Sequence, residues 1–248
     1  MAKIGIIGGS GLDNPDLLKA IEAVTMDTPF GNPSSVLKQG KMGDCEVVLL
    51  ARHGIGHTIP PSQVNFRANV WALKEIGCTH ILVTTAVGSL REEIKPGNFV
   101  VLDQFIDFSR HRTNTFYEQF EPGFPIHVST AEPFSPELRQ VLIDSAGELN
   151  YTCHPTGTVV TIEGPRFSTK AESQMFRAWG ADVINMTIAT EAALVKEAEL
   201  PYAAVAMSTD YDCWKEDEAP VEWESVLQVF SDNADRVTQL LVTAVAKV

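Results

Sequence analysis

Short apolar runs alternate with stretches of helical periodicity along almost the whole chain. Residues 3–8, 79–85 and 203–207 are three such runs, and each leads into small or polar residues, as is typical of strands buried in a parallel sheet. In 222–247, apolar residues recur with the helical period and define one buried face. Because strands alternate with helices, we predict an α/β fold: a single domain, 1–248, with a mixed, mostly parallel central sheet flanked by helices.

Composition and charge argue against several classes of function. The 248 residues contain 19 Lys and Arg against 32 Asp and Glu, a net charge of −13, so we expect no nucleic-acid partner and no binding to anionic membranes. No segment reaches about 18 consecutive apolar residues, and the chain begins without the apolar region of a signal peptide. These features predict a cytoplasmic protein that does not contact membranes.

The four cysteines do not match a metal-binding pattern. Cys45, Cys78, Cys153 and Cys213 form no CxxC pair, and no Cys/His spacing resembles a zinc site. Cys78 precedes an apolar run and is predicted to be a buried free thiol. We therefore predict no bound metal.

Two carboxylates lie just beyond the apolar run 203–207, at Asp210 and Asp212. The carboxyl ends of buried parallel strands face the ligand crevice of an open α/β sheet. Residues two apart on a strand can point the same way, and two like charges so placed raise the pKa of at least one of them. This arrangement suits proton donation. An exposed turn has the same composition and remains an alternative.

A glycine-rich segment, Gly8-Gly9-Ser10-Gly11, follows the first strand. Glycines let backbone N–H groups approach a phosphate, and we favour a phosphate or sugar loop in which Ser10 supplies a hydroxyl. The alternative of a dinucleotide-binding loop is disfavoured because Asn14 stands where the third glycine is needed. A strand turn that binds no ligand remains a further alternative. We expect the next helix to begin with Asn14 as N-cap and Pro15 in its first turn.

Other predicted strands also end in polar groups. Arg52 and His53 follow the last residue of an apolar strand. A planar guanidinium beside an imidazole that can gain or lose a proton is suited to bind an oxyanion. A solvated strand end explains the same residues equally well. Thr85 ends the run 79–85 and could contact an anion or a ribose. The polar and aromatic segment 104–130 has no clear period, and we predict a functional or interfacial loop.

Seven motifs at these strand ends and in the connecting loops occur together. They are Gly8-Gly9-Ser10-Gly11-Leu12, Arg52-His53-Gly54, Thr84-Thr85-Ala86-Val87-Gly88-Ser89-Leu90, Asp103-Gln104-Phe105-Ile106-Asp107, Thr161-Ile162-Glu163-Gly164-Pro165-Arg166-Phe167-Ser168, Asn185-Met186-Thr187 and Thr209-Asp210-Tyr211-Asp212-Cys213-Trp214. In combination, and over nearly the whole chain, the sequence resembles the S-methyl-5'-thioadenosine phosphorylases, in the trimeric branch of the purine nucleoside phosphorylases.

The resemblance implies a nucleoside phosphorylase-like fold and a phosphorolysis reaction. Methylthioadenosine and phosphate would give adenine and 5-methylthioribose 1-phosphate, with phosphate as co-substrate and no other cofactor. The alternative is a broader purine nucleoside or methylthioinosine phosphorylase. The resemblance also implies a homotrimer or a dimer of trimers.

Residue roles are likewise implied by the resemblance. The phosphate-binding residues would be Ser10, Arg52, His53, Thr85, Ala86 and Thr187. Asp210 would protonate or hydrogen-bond N7 of the leaving purine, and Asp212 would support its 6-amino group. The remaining substrate contacts would come from Phe167 and Ser168 at the base, Met186 under the ribose, Val226 and Leu227 facing the methylthio group, and His127 from a neighbouring subunit.

Two features bear on selectivity. A carboxylate at Asp212 accepts a hydrogen bond from an amino group but repels a 6-oxo oxygen, which predicts a preference for 6-aminopurines. At the other end of the pocket, Trp223 stands where a smaller apolar residue is common in the family, and the chain ends at Val248 where longer eukaryotic members carry a tail that helps close the methylthio pocket. Trp223 either fills that wall or packs on its helix.

Three other functions compete with phosphorolysis. A hydrolase would use water as the nucleophile. Water does not require an anion-binding site, whereas Arg52, His53 and several hydroxyls indicate one. A dinucleotide-binding oxidoreductase is disfavoured by Asn14, as above. A nucleoside sensor without catalysis is disfavoured by the presence of both an acid and an oxyanion cradle.

Overall fold

The computed structural model describes residues 2–9, 18–217 and 222–248. Within these ranges the chain forms eleven strands, five α-helices and a short 3-10 helix, Pro61–Gln63. The strands are β1 (Lys3–Gly8), β2 (Lys19–Val24), β3 (Leu37–Met42), β4 (Cys45–Ala51), β5 (His80–Ser89), β6 (Phe99–Val101), β7 (Gln104–Phe108), β8 (Cys153–His154), β9 (Thr158–Ile162), β10 (Val183–Asn185) and β11 (Tyr202–Asp210). The helices are α1 (Phe66–Glu75), α2 (Pro136–Glu148), α3 (Lys170–Ala178), α4 (Ile188–Glu197) and α5 (Trp223–Val245). Across the described ranges, no helix combines the length and apolar character needed to cross a bilayer.

The strands form a single branched sheet. Its main order is β2-β3-β4-β1-β5-β10-β9-β7, while β11 pairs with β5, β6 with β11 and β8 with β6. The pairs β1–β4, β1–β5, β5–β11, β9–β10, β7–β9 and β6–β8 are parallel. The pairs β2–β3, β3–β4, β5–β10 and β6–β11 are antiparallel. The predicted fold class, a mixed and mostly parallel sheet flanked by helices, is confirmed.

Helices cover both faces of the sheet. One hydrophobic core joins Ile7 and Val83 to residues of α1 and α4, and a second joins Ile6 and Leu82 to residues of α2 and α5. Neighbouring residues of a strand point to opposite faces, so each buried strand contributes to both cores. This two-sided burial explains why β1, β5 and β11 have continuous rather than alternating apolar sequences.

The central strand β5 is longer than predicted. It continues past Thr85 to Ser89, where its last residues pair antiparallel with β10. Strand β11 runs parallel beside it, with Ala206 opposite Thr85 and Asp210 opposite Gly88. Polar residues of both strands therefore reach the same end of the sheet, with Asp210 as the last residue of β11.

Two other elements differ from the sequence expectation. Segment 104–130 is not entirely loop, because its first five residues form β7 at one end of the sheet order. Strand β2 ends the order on the opposite side, and it is not predicted at all. Both strands are partly exposed, so neither has the apolar run that marks a buried strand. The predicted helix start at Asn14 and Pro15 lies outside the described residues.

Candidate active site

A cavity lies beside the second half of β5 and at the carboxyl ends of β4, β10 and β11. The predicted residues that line it are Arg52, His53, Thr85, Ala86, Phe167, Ser168, Met186, Thr187, Asp210, Asp212, Trp223 and Val226. Ser10 lies outside the described residues, although its neighbour Gly9 lines the cavity. Residues that are far apart in sequence thus meet in one place.

Arg52 occupies one end of the cavity, directly after β4. Its Nε and Nη2 donate to the two carboxylate oxygens of Glu191, with 3.1 Å between Nη2 and Oε2, and both side chains are only 1% exposed. Nη1 donates to the carbonyl of Thr84 at 3.2 Å, and the Tyr202 hydroxyl donates to Glu191 Oε2 at 3.2 Å. The guanidinium is therefore held in one orientation, with its charge balanced by a buried carboxylate.

His53 lies beside Arg52 with a defined ring orientation. Its Nδ1 is 2.9 Å from the carbonyl oxygen of Ile59. The ring of His57 stacks on it at a centroid distance of 4.4 Å. Burial, reinforced by the positive charge of Arg52, lowers the pKa of His53 to about 3. The imidazole is therefore neutral at physiological pH.

Hydroxyl and helix-end groups complete this anion end of the cavity. Thr85 Oγ1 accepts a hydrogen bond from Asn185 Nδ2 at 3.2 Å and donates to the Ala86 carbonyl at 3.1 Å. Thr187 is the N-cap residue of α4, and its side chain makes no capping hydrogen bond there. The N-terminus of a helix carries partial positive charge and favours an anion.

The opposite, base end of the cavity holds the two aspartates. Asp210 Oδ2 accepts from the Thr209 hydroxyl at 2.7 Å, and Oδ1 accepts from the backbone N–H of Asp212 at 2.7 Å. Burial raises the pKa of Asp210 to about 6 despite these hydrogen bonds, and Asp212 adds to the rise. Burial also raises the pKa of Asp212, partly offset by the Ser173 hydroxyl. Asp210 is thus suited to donate a proton near neutral pH.

Gly88 on β5 allows this carboxyl to sit where it does. A Cβ atom at position 88 would lie 2.9 Å from Asp210 Oδ1 and 3.0 Å from a methyl group of Ile184. Real Cβ atoms do not approach so closely, so a side chain here would displace one of the two neighbours. The close approach of backbone and carboxyl requires glycine.

A guanidinium from segment 104–130 supports the wall between the two ends. Arg112 Nε donates to Glu163 Oε1 at 3.0 Å, and its Nη groups donate to the carbonyls of Met186 and Glu163. The guanidinium of Arg112 also lies over the ring of Phe66, 5.3 Å from the ring centroid. Arg112 therefore joins the loop that leads to Phe167 to the strand end that carries Met186.

The outer part of the site is more exposed to solvent than its two ends. Trp223 is 37% exposed, lines the cavity, and lies with its ring 4.8 Å from that of His57. Leu227, one turn further along α5, is 38% exposed and is not among the described residues that line the cavity. His127 is exposed, contacts the ring of Phe120, and is not among the described residues that line the cavity.

Glu191 and Arg112 are structurally important residues that the sequence interpretation missed. Glu191 lies 139 positions from Arg52, and Arg112 lies 74 positions from Met186. A charged residue inside the otherwise apolar stretch of α4 is the one signal that could have identified Glu191, because buried charges require partners.

The arrangement can bind an anion at one end and protonate a leaving group at the other. Between the two ends, Met186 and Phe167 provide apolar surface for a flat or ring-shaped ligand. Over the residues that the structure describes, no group of three His, Cys, Asp or Glu side chains is placed to hold a metal ion.

Comparison with known proteins places this fold and site in a family. Residues 3–246 match the Phosphorylase superfamily, and the chain belongs to that superfamily. Within it, the chain shares the family of the S-methyl-5'-thioadenosine phosphorylases. The enzyme of that name from Xenopus tropicalis is 56% identical over 99% of this chain and 89% of its own length, and that from Danio rerio is 55% identical with the same coverage. The resemblance seen in the motifs is confirmed.

Solved structures agree with this assignment. The methylthioadenosine phosphorylase from Schistosoma mansoni in complex with adenine has a TM-score of 0.95 and 46% identity, covering 100% of this chain and 92% of that chain. A mutant adenosine/methylthioadenosine phosphorylase from the same organism, in complex with methylthioadenosine, has a TM-score of 0.93 and 46% identity, covering 100% and 91%.

Proposed function

We propose that this protein catalyses the phosphorolysis of S-methyl-5'-thioadenosine, giving adenine and 5-methylthioribose 1-phosphate. It is a pentosyltransferase with inorganic phosphate as co-substrate. The observation that carries this function is a single cavity with an oxyanion cradle at one end and a buried carboxyl of raised pKa at the other. Its relatives at 56% and 55% identity are enzymes of this name.

Phosphate binds at the anion end and acts as the nucleophile. Arg52 supplies fixed positive charge, and the Thr187 hydroxyl with the N-terminus of α4 supplies hydrogen-bond donors. The Thr85 hydroxyl donates to the phosphate once it rotates away from the Ala86 carbonyl. His53, the Ala86 backbone and Ser10 complete the proposed cradle. Held against one face of the sugar, phosphate attacks the anomeric carbon as the glycosidic bond breaks through a cation-like ribose.

The purine leaves at the base end. Asp210 donates a proton or hydrogen bond to N7, and its pKa of about 6 keeps a fraction protonated near neutral pH. Asp212 accepts from the 6-amino group, which favours adenine over 6-oxopurines. Phe167 and Ser168 contact the base, and Met186 lies under the ribose.

The methylthio group occupies the outer part of the cavity, against Trp223 and Val226. We further propose that His127 reaches this site from a neighbouring subunit, so that the protein works as a homotrimer or a dimer of trimers. Exposed apolar residues around His127, namely Phe120, Phe124, Ile126 and Val128, support a subunit contact there.

We also propose that the chain acts as a single domain, 1–248, without a metal or organic cofactor, in the cytoplasm. The four cysteines are free thiols, which suits a reducing compartment.

A phosphate-dependence assay tests the function. Methylthioadenosine, adenosine, methylthioinosine and inosine are compared side by side, with and without phosphate, by following release of the free base. We expect base release only with phosphate and fastest from methylthioadenosine. Base release without phosphate would identify a hydrolase instead, and equal rates with all four nucleosides would identify the broader phosphorylase.

A further inference from the structure

The orientation of His53 determines which atom it offers to the cavity. Its Nδ1 lies 2.9 Å from the carbonyl oxygen of Ile59, and a carbonyl can only accept a hydrogen bond, so Nδ1 carries the ring proton. A neutral imidazole has one such proton, and Nε2, on the opposite side of the ring, is then an acceptor. His53 lines the cavity, and Nε2 is the ring nitrogen left to bind a ligand there, which it can do through its lone pair but not as a donor.

The groups around His53 oppose a second proton on its ring. Arg52 adjoins it, Arg112 adds a second positive charge, and His57 stacks on the ring at 4.4 Å. Together with burial they lower the pKa of His53 to about 3. Of the acidic groups on neighbouring elements, Glu191 is hydrogen-bonded to Arg52, while Asp210 and Asp212 line the base end of the cavity.

Charge alone does not separate the oxyanions that could enter this site. Near neutral pH, hydrogen phosphate and sulfate are both tetrahedral dianions of similar size. They differ in one respect, because hydrogen phosphate carries a P–OH proton and sulfate carries none. An acceptor aimed at the ligand distinguishes the two, since a P–OH group donates to it whereas every sulfate oxygen repels it.

We propose that His53 selects the nucleophile by accepting a hydrogen bond from a P–OH group at Nε2, so that the site takes protonated oxyanions and discriminates against sulfate. This inference rests on the proposed function, because it concerns the proposed phosphate site. Hydrogen phosphate binds without proton uptake. Sulfate binding either places a sulfate oxygen against the Nε2 lone pair of His53, which is repulsive, or requires His53 to take up a proton from solution.

Calorimetric titration of the purified protein with phosphate, arsenate and sulfate tests the selection. At about pH 8 we expect phosphate and arsenate, which both carry a proton, to bind at least about tenfold more tightly than sulfate, the penalty of an unpaired buried acceptor. Where sulfate binding takes up a proton, its Kd rises about tenfold per pH unit, and titrations in buffers of different ionisation enthalpy report the uptake.

Two matched variants test whether the preference for phosphate over sulfate comes from His53 or from its stacked neighbour His57. His53→Gln places an amide donor in the site, so we expect sulfate to bind about as well as phosphate. His57→Gln changes the stacked neighbour, which also faces the cavity and Trp223, but leaves His53 and its contact with Ile59 in place, so it should keep the wild-type preference. The wild-type pH series needs no variant and so remains decisive if either variant folds poorly.

Two outcomes overturn the inference. One is sulfate binding to the wild type as tightly as phosphate at about pH 8, where an unpaired acceptor should cost about tenfold. The other is a phosphate preference that persists unchanged in His53→Gln. Turnover of methylthioadenosine is measured on the same samples. Phosphate-dependent turnover without anion selection contradicts this inference alone, whereas absence of phosphate-dependent turnover contradicts the proposed function.

Discussion

The ionisable groups at the two ends of the cavity differ in whether they have an ionic partner. At the anion end, the buried guanidinium of Arg52 is paired with the carboxylate of Glu191, while burial makes neighbouring His53 neutral. At the base end, Asp210 is held by a hydroxyl and a backbone N–H rather than by a cation, and burial moves its pKa upward to about 6. A buried group with an ionic partner remains an ion, and one without such a partner moves toward its neutral form. The site therefore contains both kinds of group, the Arg52–Glu191 ion pair and the neutral-shifted side chains of His53 and Asp210.

Removing the acid should have the largest effect. Asp210→Asn keeps the size of the side chain but cannot donate an acidic proton, and we expect kcat to fall by about 10²- to 10⁴-fold. Steady-state kinetics with methylthioadenosine and phosphate measure the change, with thermal unfolding to show that the variant is folded. A kcat within about tenfold of wild type would show that Asp210 is not the proton donor, since the amide of Asn can still donate a hydrogen bond to N7.

Removing the ionic partner tests the other half of the comparison. Glu191→Gln leaves the buried charge of Arg52 uncompensated, and we expect a loss of about 3–5 kcal/mol in the free energy of unfolding. The control is Glu148→Gln, which breaks the exposed pair between Glu148 and Lys247 and should cost no more than about 1 kcal/mol. Equal losses in urea unfolding would show that the Arg52–Glu191 pair contributes no more than a surface pair.

The pH dependence of catalysis sharpens the contrast between the ends. Because the acid must be protonated and Asp210 has a pKa of about 6, kcat/KM for methylthioadenosine at saturating phosphate should fall as the pH rises above that value. The fall should approach about tenfold per pH unit. The Asp210→Asn variant provides the control and should lose this limb. A wild-type profile that is flat or rising between about pH 6 and pH 8 would contradict the assignment.

The smallest effect is expected at the second aspartate. Asp212→Asn replaces an acceptor-only group by an amide that can also donate, so a 6-oxo oxygen is no longer repelled. We expect the ratio of kcat/KM for methylthioadenosine over methylthioinosine to fall about tenfold. Competition between the two nucleosides in one reaction measures the ratio directly. An unchanged ratio would show that Asp212 does not read the 6-position.

The parts of the fold that could be predicted are those with a local signal. The buried strands β1, β5 and β11 are apolar because helices cover both faces of the sheet, and the end of β11 correctly places Asp210 at the cavity. The edge strands β2 and β7 lack that signal because they are partly exposed. The full length of β5 was also not predictable, because its last residues are strand by virtue of pairing with β10 and β11.

The site could be predicted only where chemistry lies on a motif. Arg52, His53 and the aspartates were identified because polar residues at strand ends are informative. The positioning roles of Glu191 and Arg112 depend on contacts across the fold, and the neutral state of His53 depends on its burial. None of these is encoded in the neighbouring sequence. His127 and Leu227 were assigned by resemblance, and the cavity of a single chain does not include them.

Strand β5 contributes to both ends of the cavity, Thr85 to the anion end and Gly88 to the base end. A strand advances about 3.3 Å per residue, so three residues fix a separation of about 10 Å between the two positions. This distance belongs to an extended backbone held by β1, β10 and β11, and side-chain rotation cannot alter it. β5 therefore fixes the distance between the two ends of the cavity. In the proposed reaction this distance limits the substrates in addition to charge and shape, because the phosphate and the purine must reach the two ends at the same time.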